Sequence, residues 1–436
     1  MDWSAATNNP TFTTALGFTT LKLYGSLMLT SNMSWNLGTQ KIDFESSGVG
    51  NLISTTGNVL DNLYFNGIGG EWNIVDELNV TSVVVNKGSF ISNGFTLNCS
   101  NAFISNSSSV RSVYLDTSTI NCGAWTIQND NNLTMDADSA LIVCNGWFYG
   151  GSSQTYFNII CYDQIISTQF CTFNSVTFPT YAFIISSSNN TFLNDVLFQG
   201  GGIISSSDNN SFDNVLFQGI AQLSSNNNTF VKAEFTGNTQ ILGNNSFDTL
   251  FFNNPGSTVT LQGGSTQIVS GALLVGAQSA FPIAFESSIF GIQATLLKTT
   301  DSVCWNYVQM IDMIASGGAL FYAGDLSADV SNNTGWIFDK CNIPTSILKE
   351  NITNLNVIVF PNPNQGIFNI NIESENSQEL NLIVRNVIGM NVYSKSLNYS
   401  QATTSHTVDL SFLPKGIYFL DMILDDQELY RKLIIE

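Results

Sequence analysis

Asp195, Asp213 and Asp248 fall at similar places in successive stretches of similar sequence, TFLNDVLF, SFDNVLF and SFDTLFF. Carboxylates on neighbouring strands could stand roughly 6.5–9.5 Å apart. At that separation one acid protonates a glycosidic oxygen while the other activates water. The same aspartates border Asn-rich stretches, and aspartate is a good turn former, so sequence leaves both readings open. A second oxygen-rich group, Asp325 and Asp329 with Asn332 and Asn333, lies in GDLSADVSNN. Calcium takes about six to eight oxygen ligands, so it is the one cofactor this stretch suggests. The spacing departs from the EF-hand pattern, and turn chemistry accounts for the same residues.

The seven cysteines are Cys99, Cys122, Cys144, Cys161, Cys171, Cys304 and Cys341, and His406 is the sole histidine. No CxxC pair is present, which disfavours a Cys/His zinc site. An odd count leaves at least one thiol unpaired within the chain. Cys99, Cys122 and Cys144 are spaced by 23 and 22 residues. That spacing reads as an inward column of small buried groups or, alternatively, as disulfides between neighbouring coils. Cys304 and Cys341 bracket a distinct stretch and are the pair expected to form a disulfide.

Charge narrows the partners. The chain has 13 Lys+Arg against 33 Asp+Glu and a net charge of −20. Nucleic acid is excluded as an expected partner, because phosphate affinity needs clustered cations. Lyases on acidic sugars need an Arg or Lys base, and the few cations of the first 350 residues are not clustered. Arg385, Lys395, Lys415, Arg431 and Lys432 lie near the end, and that shift marks a domain boundary. Hydrophobics at 43% with charge at only 11% rule out a disordered chain. No run approaches the ~18 apolar residues of a transmembrane helix. Met1-Asp2-Trp3-Ser4 lacks the basic and apolar regions of a signal peptide. Secretion would place one upstream, and the chain is expected to be part of a longer protein.

Repeats determine what must position these residues. Phe173, Phe192, Phe212, Phe230 and Phe247 form one aromatic column, and Phe178, Phe198, Phe217, Phe235 and Phe252 a second. Ile185, Ile204, Leu223, Leu242 and Leu261 follow at a constant spacing of 19 residues and are expected as a third. Asn pairs at 189–190, 209–210, 227–228 and 244–245 precede the first column. Each unit reads as one turn of a solenoid, stacked on the next at a strand spacing of ~4.8 Å. Like residues then lie above one another inside. The Asn pairs suit turns, through left-handed backbone and side-chain amide ladders. Residues 20–170 show the same style with looser register.

The expected fold is all-β: a parallel β-helix solenoid followed by a small antiparallel Ig-like β-sandwich. The expected domains are a body at 1–298, a β-helix cap and linker at 299–350, and a C-terminal module of seven strands at 357–436. In that module FPNPNQGIFNI, NVIGMNVY, LSFLPKGIYFL and the final RKLII recur in order. Together they resemble the type A C-terminal sorting domain of the type IX secretion system of Bacteroidota. Carried onto this chain, the signature positions are Pro361, Asn362, Pro363, Gly366, Phe368, Gly389, Leu413, Gly416, Tyr418, Lys432 and Leu433. The acidic residue usual before the hairpin glycine is missing from Asn386-Val387-Ile388-Gly389.

The resemblance implies export through the general secretory route and the type IX translocon. It further implies recognition by a surface sortase-like protease, with cleavage before Val357, and release or attachment of the body to lipopolysaccharide. FNGIGGEWNIVDELNV and GGALFYAGDLSADVSNNTGWIFDKC are similar to parts of large secreted β-helix proteins of these bacteria. Asp138-Ser139-Ala140, Asp248-Thr249-Leu250 and Asp301-Ser302-Val303 resemble their short O-glycosylation signal. The expected function is a secreted cell-surface protein, adhesive or structural, binding glycans or surfaces. The alternative is a polysaccharide lyase or glycoside hydrolase of the β-helix type.

Overall fold

The computed structural model describes residues 1–13, 20–36, 41–341, 355–374, 378–386, 391–399, 402–424 and 427–436. Among them every regular element is a β-strand. The chain divides into two compact units, Met1–Cys341 and Asn342–Glu436.

The first unit is a parallel solenoid. In its most regular part each coil has a long strand and a short one. Thr191–Phe198 and Ser211–Phe217 are long strands, and Gly202–Ser205 and Ala221–Ser224 are short ones. Phe192 lies in register with Phe212, and Phe212 with Phe230. Their rings stack at 4.5 and 4.9 Å with planes 7° and 5° apart. The second column stacks likewise, from Phe178 and Phe198 at 4.5 Å to Phe235 and Phe252 at 5.7 Å. Burying each ring contributes about 1.5–3 kcal/mol. Stacked pairs add about 0.5–1.5 kcal/mol.

The third column differs from the constant 19-residue expectation. Ile184, not Ile185, pairs with Ile204, and Ile241, not Leu242, pairs with Leu223. Coil length is 20, 19, 18 and 20 residues along Ile184, Ile204, Leu223, Ile241 and Leu261. Strand side chains alternate between faces, so a one-residue slip turns Ile185 and Leu242 away from the core.

The turns absorb these length changes. Asn189, Asn209 and Asn227 take left-handed backbone at φ 59°, 59° and 58°. The next residues, Asn190, Asn210, Asn228 and Asn245, are buried. Each Oδ1 accepts from the preceding coil: Asn190 N donates to Asn210 Oδ1 at 2.9 Å, and Asn210 N to Asn228 Oδ1 at 2.9 Å. Nδ2 bonds at 3.1 Å run along the same pairs. A buried amide left unpaired would cost about 1–3 kcal/mol, so the ladder fixes register as well as stability.

The N-terminal coils are wider. A six-stranded parallel sheet running from Leu27–Met28 to Leu133–Asp136 forms one face. Cys99, Cys122, Cys144 and Cys161 stand in one register column and are buried. Together with Cys171 they are free thiols, so the alternative of disulfides between coils is overturned. Burial pushes Cys99 up to about 12 and Cys171 up to about 11. Both behave as small apolar groups. Cys304 and Cys341 are disulfide-bonded.

Parallel stacking continues beyond 298. Ala294–Leu297 pairs with Met313–Ser316, and Val308–Ile311 with Ala328–Ser331. The stretch up to Cys341 therefore adds coils to the body.

The second unit has two antiparallel sheets. One holds Leu355–Phe360, Ile367–Ser374 and Ala402–Asp409. The other holds, in spatial order, Asn391–Tyr399, Gln378–Asn386, Gly416–Leu424 and Gln427–Ile435. Phe368, Ile370 and Val408 from one sheet and Leu382, Val384, Leu420, Met422 and Leu433 from the other share a single core. This is a seven-stranded sandwich.

Candidate functional site

In the body, the register separates the three aspartates. Asp195 lies opposite Asn214, not Asp213, because the pairing shifts between Phe192 and Asp195. Asp213 falls level with Val231, between Phe212↔Phe230 and Asn214↔Lys232. Asp248 in turn accepts from Ser270 Oγ at 3.0 Å. A continuous row of carboxylates is not formed.

Asp195 instead borders an outer hollow of about 410 Å³ with Leu197, Asn214, Leu216, Lys232 and Glu234. Lys232 Nζ meets Glu234 Oε2 at 2.9 Å. Burial raises the Glu234 pKa, but bonds from Lys232 and Asn253 outweigh it and hold the group below the usual range. A carboxylate held ionised is the opposite of what a general acid requires.

Asp325 and Asp329 are exposed, the first in a turn and the second in Ala328–Ser331. Asn333 Nδ2 donates to Asp329 Oδ1 at 2.6 Å, and Asn333 Oδ1 accepts from Met313 N at 3.0 Å. Asn333 thus ties Asp329 within its own turn and links that turn to the preceding coil. Among the described residues no three or more His, Cys, Asp or Glu side chains converge as a metal site.

In the sandwich the motif residues do come together. Proline removes backbone donors on both sides of Asn362, so its side chain takes over the bonding of the loop. Asn362 Nδ2 donates to the Lys432 carbonyl at 2.6 Å, and Ile434 N donates to Asn362 Oδ1 at 2.8 Å. Asn364, buried, extends the clasp. Its N donates to Ile434 O at 2.9 Å, and its carbonyl accepts from Glu436 N at 2.7 Å. The first loop thereby grips the last strand. Residues 358–436 match the family model described as the Secretion system C-terminal sorting domain.

This module is a type IX secretion sorting domain.

Its signature positions divide by role. Phe368, Leu433 and Tyr418 fill the sorting domain's core, and Leu413 packs against it. Tyr418 OH donates to Pro414 O at 2.7 Å, tying down the LPKG turn. Gly366 sits at φ +89°, and a Cβ there would meet Ser411 Cα at 2.5 Å, so only glycine fits. Gly416 opens the penultimate strand, opposite Ile435. Pro361, Asn362, Pro363 and Lys432 are exposed. Pro361, Pro363, Asn364, Lys415 and Glu436 line a surface hollow of about 670 Å³. Gly389 and its turn lie outside the described residues.

Sequence reasoning passed over Asn364, although its place in Pro-Asn-Pro-Asn was the available signal. It also passed over the pair Arg385 Nε and Asp421 Oδ2, 2.9 Å apart on adjacent strands.

The sorting domain marks the chain as secreted and carried to the cell surface. Among the described residues no helix is long and apolar enough to cross a membrane. No curated protein matches the chain. Two solved structures are similar. One is the cell-surface chitinase ChiW of Paenibacillus sp. str. FPU-7, at 8% identity and TM-score 0.15, covering 69% of this chain and 24% of that one. The other is tailspike protein 4 of bacteriophage CBA120, at 12% identity and TM-score 0.18, covering 84% of this chain and 62% of that one. The chain spans less than two thirds of either.

Proposed function

We propose that the solenoid is a surface-displayed adhesive or structural body that binds glycans or other surfaces. In this reading the sorting domain engages the type IX translocon and a sortase-like protease, with processing before Val357. The observation that carries it is the outer face of the coils. Amide side chains run there in ladders: Asn121 Nδ2 donates to Asn98 Oδ1 at 2.7 Å, and Asn98 Nδ2 to Asn79 Oδ1 at 2.8 Å. A second ladder joins Asn194 to Asn174 at 2.7 Å and Asn174 to Asn158 at 3.1 Å. Such faces are rich in both donors and acceptors, which matches the hydroxyls of carbohydrate.

A polysaccharide-degrading enzyme is the second reading, and the hollow at Asp195, Lys232 and Glu234 favours it. Incubating the full chain with a polysaccharide panel and measuring new reducing ends separates the two. The adhesive reading expects none above a heat-denatured control. Release that Glu234→Gln abolishes would establish the enzyme instead.

A further inference from the structure

The geometry points to a binding corner for a neutral polysaccharide at Trp147, Tyr162 and Tyr181. This rests on the reading of the body as a glycan-binding surface and gives that surface a location.

The three rings occupy the same corner of three consecutive coils and are 49%, 41% and 43% exposed. Gln164 is in register with Trp147 on one side and Phe183 on the other. Tyr162 and Tyr181 each precede these strand positions by two residues, so they form one column beside the Trp147, Gln164, Phe183 column. Thr180 Oγ1 donates to Tyr162 O at 2.6 Å, which ties the two tyrosine turns together. Tyr181 meets Phe183 edge-on at 5.5 Å, which fixes its ring. Single exposed aromatics need no explanation, but a cluster on successive rungs of an otherwise amide- and hydroxyl-rich face does.

The next coils explain why the rings stand clear. The corner passes through Gly200, whose Cβ would meet Tyr181 N at 2.4 Å, and Gly237, whose Cβ would meet Gly219 O at 2.1 Å. Backbone stacks directly on backbone at these glycines, which clears the coil next to Tyr181; Ile220, 60% exposed, is the next large side chain to stand out in the same column.

The chemistry selects the occupant. A pyranose ring offers an apolar C–H face, which packs on an aromatic ring, and hydroxyl edges, which an amide such as Gln164 can bond. Coils rise ~4.8 Å, about the length of one sugar unit, so consecutive units of an extended chain meet consecutive rungs. No Lys or Arg occurs between Arg111 and Lys232, and Asp163 lies within the corner. An acidic glycan would find no counter-charge, so the occupant is neutral.

The test is titration of the full chain with cellohexaose, mannohexaose, chitohexaose and polygalacturonate, followed by calorimetry and Trp fluorescence. At least one neutral hexaose should bind and polygalacturonate should not. Trp147→Ala and Tyr162→Ala should each weaken binding on the order of tenfold, with thermal unfolding unchanged. Trp147→Phe, which keeps a ring, should restore most of it. Binding that is indifferent to all three substitutions overturns the corner while sparing the glycan-binding reading. Absence of any polysaccharide binding overturns both. A dimer in sedimentation that Trp147→Ala dissolves would assign the rings to self-association and overturn the proposal.

Discussion

Phe212 stacks between Phe192 and Phe230 at 4.5 and 4.9 Å, and the same contact recurs one coil away in each direction. Asn362 in the sorting domain also makes two good contacts, at 2.6 and 2.8 Å, but nothing repeats them. The solenoid distributes its stability over nearest neighbours, so a lesion stays local. The sorting domain closes its sandwich through one clasp between its first loop and its last strand, so a lesion there reaches both ends of the module.

The largest expected effect is in the aromatic stack. Phe212→Ala should destabilise the body by about 3–5 kcal/mol. Hydrogen exchange should quicken in Thr191–Phe198 and Thr229–Phe235 and leave the sorting domain untouched. Uniform acceleration across the whole chain would break the nearest-neighbour picture. The disulfide comes next. Cys304→Ser with Cys341→Ser opens a closure 37 residues long and should cost about 2–4 kcal/mol, read from the body's urea transition. Thiol titration of the unfolded, unreduced parent chain should count five, the number of free cysteines.

The clasp is smaller still. Asn362→Ala should cost the sorting domain about 2 kcal/mol, and amide exchange in Gln427–Ile435 should rise while the body's stays fixed. A silent variant would show that the clasp does not hold the last strand. At the bottom of the scale, exposed Lys22 and half-buried Glu45 pair at 3.0 Å. Lys22→Ala should leave the midpoint of the body's urea transition almost unchanged, and any shift should fade at high salt.

Much of this was legible in the sequence, and the failures have physical causes. The aromatic columns and the Asn turns could be read because identical side chains repeat at positions where only stacking explains repetition. The aliphatic column was misplaced at Ile185 and Leu242 because coils of 18 and 20 residues average to 19, and either neighbour is an apolar residue of similar size. The pairing of Asp195 with Asn214 rather than Asp213 was hidden for the same reason: a bulge leaves no compositional trace. Cys161 escaped the cysteine column because its spacing of 17 from Cys144 reflects a narrowing of the coil. The sorting domain was readable from short motifs because each fixes an unusual backbone or a core position, as Gly366 and Phe368 do. The aromatic corner was not, since Trp147 belongs to the column beside Tyr162 and Tyr181 and only the stack brings it next to them.

The division of labour between body and clasp-closed module is tested most directly by protease accessibility of the body on intact cells, with and without residues 357–436. The full chain should be degraded at the surface, and the truncated chain should be protected and recovered from the periplasm. Equal surface exposure of the truncated chain would contradict the account.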